Sequence, residues 1–333
     1  MTRSRLTRWL RLGVSVLATA GLLSGCGPGG VTTQSQRIGY DNGTDSCRPQ
    51  LVALDSTGNF FGEDILKGAA VGALGGALIG GLVSGNWRGA LIGGGAGAAA
   101  GATAGYWTAL QQQSHDQAAI TTQINSDLNR ENAQIDRTQI AFDQLADCRY
   151  RQAQAIRTAY ARGAMTRAEA ESQMAVVRSR SQRDIALAKA IDKQINARGQ
   201  QFDVAANNVA PGTTATIRAA SPERQTYTRT SAPLKLTPNQ DAPDIAELQP
   251  RQAVTVGTSR NGYALVQTAS GERGYAPVSA LQSAPVASSA DSGGDSGGDV
   301  RTLAGSNAAR RDSFAQSIAV TEQVSDSGFQ LAS

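Results

Sequence analysis

The sequence has little of the chemistry that enzymes use. Among its 333 residues there are one histidine and three cysteines, and they form no cluster with metal-ligand spacing. Ser114-His115-Asp116 contains the residue types of a catalytic triad, but consecutive residues on a helix lie about 100° apart and do not face one another. The glycine-rich stretches lack the Gly-Lys-Ser/Thr ending of a phosphate-binding loop. We therefore expect a protein that is not an enzyme and uses no metal or cofactor.

The chain also lacks an excess of positive charge once its first 25 residues are set aside. It has 31 Lys and Arg against 27 Asp and Glu, and four arginines precede residue 26, which leaves 27 against 27. This balance, with no basic stretch interleaved with aromatic residues, argues against nucleic acid as a partner. Aromatic residues make up only 5% of the chain, which predicts a modular, elongated protein rather than one large globule.

The N-terminus has the pattern of a targeting segment. Four arginines form a basic start, residues 12–23 are mostly apolar, and the stretch ends in Leu23-Ser24-Gly25-Cys26. This closely resembles the lipobox of bacterial lipoproteins. The resemblance implies that residues 1–25 are removed as a signal peptide and that Cys26 is acylated. Because Gly27 rather than Asp follows the cysteine, it also implies lipid anchoring in the outer membrane, facing the periplasm.

Small residues recur at every fourth position over residues 68–105, in two runs. On a helix this spacing returns to nearly the same face, where another backbone can approach closely. A turn at residues 85–88 separates the runs, so residues 62–107 are predicted to form a helical hairpin with a glycine seam. The seam positions are Gly68, Gly72, Gly76, Gly80, Ser84, Gly89, Gly93, Gly97, Gly101 and Gly105.

Two settings would favour such a seam. Each run covers about 17 residues, or about 25 Å of helix, which suits a thin bilayer. The alternative is a soluble helical pair that packs Ala against Gly in a periplasmic oligomer. We favour insertion, with membrane lipids and further copies of the chain as partners, because aromatic and basic residues lie where the interfaces would be. These are Trp87 and Arg88 at the tip, and Phe60, Phe61, Lys67, Tyr106 and Trp107 at the base.

Residues 108–208 predict a long antiparallel coiled hairpin. Apolar residues recur at spacings of four and seven, an interruption falls at residues 162–163, and Thr166 with Glu169 forms a capping box for a second helix. The apolar seam is broken at three positions, Glu131, Thr138 and Arg149. The sequence therefore does not determine whether each helix packs against the other helix or against another subunit.

Two cysteines are left for oxidation if Cys26 is acylated. Cys47 lies in residues 26–61, which have no strong periodicity and predict a tether, and Cys148 lies on the first long helix. A bridge within one chain requires a nearly straight tether or a helix break, for which residues 113–116 are the best place. Otherwise Cys148 would pair with Cys148 of another subunit. The sequence favours the bridge within one chain.

After a linker predicted at residues 209–229, apolar residues follow the alternating pattern of short strands. Residues 230–283 resemble a bacterial SH3 domain, through motifs such as Asn261-Gly262-Tyr263 and Gly274-Tyr275. The resemblance implies a small barrel and a recognition module, with Tyr263 and Tyr275 as candidate ligand contacts, although core packing is favoured for both rings. Residues 284–333 predict a mostly disordered tail with one short helix at residues 308–321.

These expectations describe an α plus small all-β protein with flexible linkers. Residues 1–107 resemble the glycine-zipper lipoproteins of Gram-negative outer membranes, through Cys26 and the seam positions. The resemblance implies self-assembly in the membrane and support of envelope integrity. The alternatives are a cell-wall tether or adaptor, whose SH3-like domain binds peptidoglycan or a cell-wall hydrolase, and an accessory subunit of such a hydrolase without its own active site.

Overall fold

The computed structural model describes residues 33–62, 105–219, 223–282 and 299–330. The predicted signal peptide, Cys26 and all seam positions except Gly105 lie outside these residues. Within them the chain is mostly helical and has one antiparallel sheet, which agrees with the predicted α plus small β fold class.

Two helices precede the stretch of residues 63–104, which we call the glycine segment. Helix α1 spans Gln34–Ile38 and helix α2 spans Arg48–Gly62. The prediction of a tether over residues 26–61 is wrong for α2. Leu51, Leu54 and Phe61 have helical spacing and are buried against the long helices that follow, so their packing rather than the local composition defines this helix.

Four further helices surround a common core. They are α3 at Gly105–Gln113, α4 at Gln117–Ala161, α5 at Arg167–Val209 and α6 at Thr213–Ala219. The break between α3 and α4 lies where a break was predicted, and Asp116 caps α4 by accepting a hydrogen bond from the backbone N–H of Ala118. Thr166 and Glu169 form the expected capping box of α5.

Helices α4 and α5 lie antiparallel, and their contacts fix the register of the hairpin. Arg149 of α4 contacts Asp184 of α5, and Glu131 contacts Arg198. The partner that the sequence left open is therefore the second helix of the same chain, with α2 and a C-terminal helix completing the packing.

The C-terminal helix α7 spans Val300–Gly328 and is buried along most of its length. It packs along both α4 and α5, with Asn132 donating to the carbonyl of Leu303 and Arg311 paired with Asp203 at 2.8 Å. The prediction of a mostly disordered tail with a short helix is wrong. Polar pairs with distant residues hold much of α7, and an apolar pattern cannot reveal such pairs.

The sheet contains six antiparallel strands in the order β1-β4-β5-β6-β2-β3. The strands are β1 at Arg224–Tyr227, β2 at Ala232–Lys235, β3 at Asp244–Leu248, β4 at Ala253–Arg260, β5 at Tyr263–Thr268 and β6 at Arg273–Pro277. A bridge between Thr228 and Leu281 ties the first strand to the short 3-10 helix Val278–Ala280. Because α6 and β1 both fall in residues 209–229, the prediction of a plain linker there is wrong.

Candidate functional site

The two ends of the glycine segment meet the same part of α4. Just before the segment, the carbonyl of Thr57 accepts a hydrogen bond from Nε2 of Gln134 at 2.8 Å. Just after it, the hydroxyl of Tyr106 donates to Asp127 at 2.7 Å. Residues 127 and 134 are about 10 Å apart along a helix. The chain therefore leaves and re-enters the helical domain at one place, between about the third and fifth turns of α4. We call this place the base and define it as Phe60, Phe61, Tyr106, Glu131 and Arg198.

A buried ion pair lies at the centre of the base. Arg198 of α5 donates through Nε and Nη2 to the two carboxylate oxygens of Glu131, at 3.1 and 2.7 Å. The guanidinium carbon of Arg198 lies 5.1 Å from the ring centre of Phe60 and 5.8 Å from that of Phe61. Glu131 is only 1% exposed, and the guanidinium of Arg198 balances its charge. The same guanidinium lies over the two phenylalanine rings near the end of α2.

Tyr106 holds the other end of the segment. Its ring centre lies 5.0 Å from that of Phe202 in an edge-on arrangement, and the residue is buried. Burial raises the pKa of the Tyr106 hydroxyl far above its ordinary value, and the neighbouring Asp127 raises it further. The hydroxyl therefore remains a proton donor to Asp127. The aromatic residues Phe60, Phe61 and Tyr106 come together at the base, as the sequence predicted. Lys67 lies outside the described residues.

The segment before α2 is held to the long helices by covalent and ionic contacts. Cys47 and Cys148 form a disulfide, the pairing within one chain that the sequence favoured. The neighbouring Asp45 forms an ion pair with Arg149. Burial raises the pKa of Asp45, but hydrogen bonding and the charge of Arg149 outweigh burial and hold that pKa below its usual value. Residues 45–47 are thereby fixed to α4.

The two tyrosines proposed as ligand contacts face the helical domain. Tyr275 is 3% exposed, and its hydroxyl lies 2.8 Å from Oγ of Ser317 in α7. Burial raises the pKa of Tyr275 to about 12, so the hydroxyl stays neutral. Tyr263 is half-buried and packs against the same cluster, which includes Val320 and Val324 of α7. This face of the sheet is therefore covered by the chain itself.

Two kinds of feature, metal-ion clusters and helices that could cross a membrane, were not found among the described residues. Across residues 33–62, 105–219, 223–282 and 299–330, no three His, Cys, Asp or Glu side chains are grouped so that they could hold a metal ion. In the same ranges, no helix combines the length and the apolar character needed to cross a bilayer. His115 is exposed in the turn between α3 and α4, where the neighbouring Asp116 serves as a helix cap.

Two buried ion pairs between α4 and α5 involve residues that the sequence did not assign to any site. Glu131 and Arg149 were recognised only as breaks in the apolar seam of α4. Each lies opposite a residue of complementary charge on α5, Arg198 for Glu131 and Asp184 for Arg149. A search for complementary charges at seam positions of two antiparallel helices would have found both pairs.

Comparison with known proteins gives one match. Residues 56–109 match the family described as YMGG-like Gly-zipper. The match begins within α2, covers the whole glycine segment and ends within α3. No curated protein and no solved structure matches the chain. The family match indicates a membrane-associated protein.

Proposed function

We propose that this protein is a non-enzymatic outer-membrane lipoprotein anchored through Cys26. Its glycine segment inserts into the membrane and assembles with other copies, and its helical domain and sheet stand in the periplasm and support envelope integrity. The observation that carries this proposal is the closeness of the two ends of the segment on α4, through Thr57 and Tyr106. A chain that leaves and returns at one place needs a reversal, which a helical hairpin provides.

The lipid and the glycine segment can reach the same membrane surface. Arg37 pairs with Asp55 at 2.7 Å, which holds α1 beside the second half of α2. Cys26 lies seven residues before Thr33, so it can reach about 25 Å from that point. Asp55 is about 10 Å along the helix from Gly62, where the segment begins. An acylated Cys26 and an inserted segment are therefore compatible with one bilayer.

The long helices provide the periplasmic arm in this proposal. Helix α4 has 45 residues and extends for about 67 Å. The base lies beside Glu131, so about 45 Å of this helix extends from the base to the α4–α5 turn at residues 162–166. Contacts that this end makes would lie far from the membrane surface. The arm could therefore span part of the distance to another envelope layer.

The assembly is tested by filling the seam. Gly76→Leu together with Gly97→Leu adds two branched side chains where backbones are proposed to touch, so the helices should separate. Ala77→Leu with Ala98→Leu adds the same side chains off the seam and serves as the control. Cross-linking in native membranes should show loss of the oligomer for the first pair and retention for the second. An unchanged oligomer in the seam variant would refute the self-assembly.

The lipid anchor is tested by Cys26→Ser. Because Ala and Gly favour the bilayer only weakly, the acyl chains should supply most of the membrane affinity. The variant should therefore move from the outer-membrane fraction to the soluble periplasmic fraction. If it fractionates like the wild type, the glycine segment alone holds the protein in the membrane and Cys26 is not its anchor.

The second candidate is a cell-wall tether that acts through an SH3-like sheet domain. Its two candidate ligand contacts lie toward α7, and Tyr275 is buried there, so this face is closed while the sheet stays docked. Sedimentation of the full chain with purified cell-wall sacculi separates the two candidates. Our proposal expects no binding by the sheet, and co-sedimentation that is lost on removing residues 223–282 would favour the tether.

A further inference from the structure

The sheet contacts α4 through two carboxylates that lie one helical turn apart. Asp143 pairs with Arg260 at the end of β4 and accepts a hydrogen bond from Nε2 of Gln139 at 3.0 Å. Asp147 accepts from the hydroxyl of Thr237, which lies 3.1 and 3.2 Å from its two oxygens. Both acids are therefore enclosed between the helical domain and the sheet.

The charges around these two acids are not balanced. Asp143 has a guanidinium partner, whereas the closest group to Asp147 is a neutral hydroxyl. Lys235 of β2 is directed to Asp244 of β3 at 2.9 Å, and its charge favours an ionised Asp147 without cancelling the effect of burial. Arg151 lies 3.9 Å from Asp147 and has a side chain that is 55% exposed, so solvent weakens its effect. Among the described residues, the cations that act on Asp147 are therefore either exposed, as Arg151 is, or paired with another acid, as Lys235 is.

Other charged groups packed on this interface do not correct the imbalance. On α4 itself, Asp143 repels a second negative charge at Asp147. From α7, the charge of Asp312 is felt at Tyr275 of β6. A carboxylate that is buried beside another carboxylate is more stable when it is protonated. In that form Asp147 can also donate a hydrogen bond to the hydroxyl oxygen of Thr237.

We propose that the sheet docks on the helical domain in a pH-dependent way, with Asp147 protonated in the docked form. Docking then takes up a proton at the contact between Asp147 and Thr237. Acidification strengthens the docking, and alkaline conditions loosen it and expose the face that carries Tyr263 and Tyr275. The helical domain keeps its own core in both states, because α7 is held by α4 and α5.

The direction of the pH dependence follows from the raised pKa of Asp147. Burial raises the pKa of Asp147 to about 7, the hydrogen bond from Thr237 opposes this, and Asp143 raises it further. A solvated Asp has a pKa of about 3.9. The added stability of docking is therefore fully present below about pH 4 and is lost as the pH rises through 7. Between these values the docking constant falls by up to about tenfold per pH unit.

Hydrogen exchange of the full chain in detergent micelles measures the docking. The reporting peptides cover residues 234–237 and 257–260 of the sheet, which include the contact residues Thr237 and Arg260. Exchange is measured from pH 5 to 8 and corrected for its intrinsic pH dependence. Protection in the wild type should fall up to about tenfold per pH unit toward pH 7. Asp147→Asn, which mimics the neutral acid, should give protection independent of pH in this range.

Asp192→Asn is the matched control, because Asp192 is a half-buried acid of α5 whose charge interacts with Asn196 of α5 and with Arg311 and Asp312 of α7. Its reporting peptides should keep the wild-type slope. A wild-type slope in Asp147→Asn, or a flat profile in the wild type, would overturn the proposal. Should Asp147→Asn fold poorly, ¹³C NMR of labelled aspartates in the wild type decides instead. If the assigned Asp147 carboxyl does not titrate between pH 6 and 8, the proposal is wrong.

Discussion

Arg149 of α4 and Asp184 of α5 form an ion pair that is almost closed to water. Nε of Arg149 lies 2.6 Å from Oδ2 of Asp184, and the arginine is 2% exposed. The same guanidinium binds Asp45, which precedes the disulfide at Cys47. One buried cation therefore joins both long helices to the N-terminal segment that leads to the glycine segment.

Removing this cation should cost much of the stability of the domain. Arg149→Met leaves the buried carboxylate of Asp184 without this guanidinium, while Asp45 keeps the longer contact with Arg180 at 3.8 Å. Breaking a buried pair such as Arg149–Asp184 costs about 3–5 kcal/mol. Urea unfolding monitored by circular dichroism, with the disulfide intact, measures the change. Arg167→Ala removes a fully solvent-exposed pair with Glu171 and serves as the control, for which we expect no measurable change. Equal midpoints for both variants would contradict a structural role for Arg149.

The disulfide should be found within one chain. Mass spectrometry of unreduced peptides should show Cys47 linked to Cys148, because the structure brings these two residues together. A Cys148–Cys148 link would indicate instead a dimeric arm. Replacing both cysteines by serine opens a loop of about 100 residues, for which chain entropy gives about 4–5 kcal/mol of lost stability. The wild-type protein unfolded in the presence of a reductant, which also lacks the disulfide, should show the same loss of stability.

Much of the fold could be predicted where the signal is local. The hairpin of α4 and α5 follows from apolar spacing and from the capping box at Thr166 and Glu169. The turn between β4 and β5 follows from Asn261-Gly262, and both residues have the positive φ, 53° and 78°, that such a turn requires. These features depend on residues close together in sequence, so the sequence alone could indicate them.

Helix α7 could not be predicted in the same way. Its buried side chains include Asn307 and Arg310, whose partners Asn132 and Asp136 lie more than 170 residues earlier in the chain. Polar residues of this kind normally indicate a solvated face, and only the folded chain brings their partners to them. The base could be predicted only in part. Its aromatic residues were expected at one end, but the Glu131–Arg198 pair depends on the register of two helices.

Asp192 gives a pH dependence that differs from that of the sheet interface. Burial raises its pKa to about 6, a hydrogen bond from Asn196 opposes the shift, and the charge of Arg311 opposes it further. The stability that it contributes is present below about pH 4 and is lost as the pH rises through 6. Asp192→Asn should therefore match the wild type near pH 4 and exceed it by up to about 3 kcal/mol above pH 7. Urea unfolding at several pH values measures this difference, and a constant difference would show that Asp192 does not titrate.

Gly199 of α5 provides the space through which Arg311 reaches Asp203. A Cβ atom added at Gly199 would lie 2.5 Å from Cδ and 2.6 Å from Cζ of Arg311. The arginine would have to move away from Asp203, to which it is bound at 2.8 Å in a buried setting. The gain in helix propensity from Gly to Ala is about 1 kcal/mol, and leaving a buried carboxylate without its partner costs more. We therefore expect Gly199→Ala to destabilise the domain by about 1–3 kcal/mol.

A double-mutant cycle tests whether this loss comes from Arg311. In an Arg311→Ala background the obstructing side chain is absent and Asp203 has already lost its partner. Gly199→Ala should then stabilise the domain, by about 1 kcal/mol, because only the helix propensity remains. Urea unfolding of the four proteins gives the coupling energy between the two positions. If Gly199→Ala is equally destabilising in both backgrounds, the contact between Gly199 and Arg311 is not the reason for the glycine.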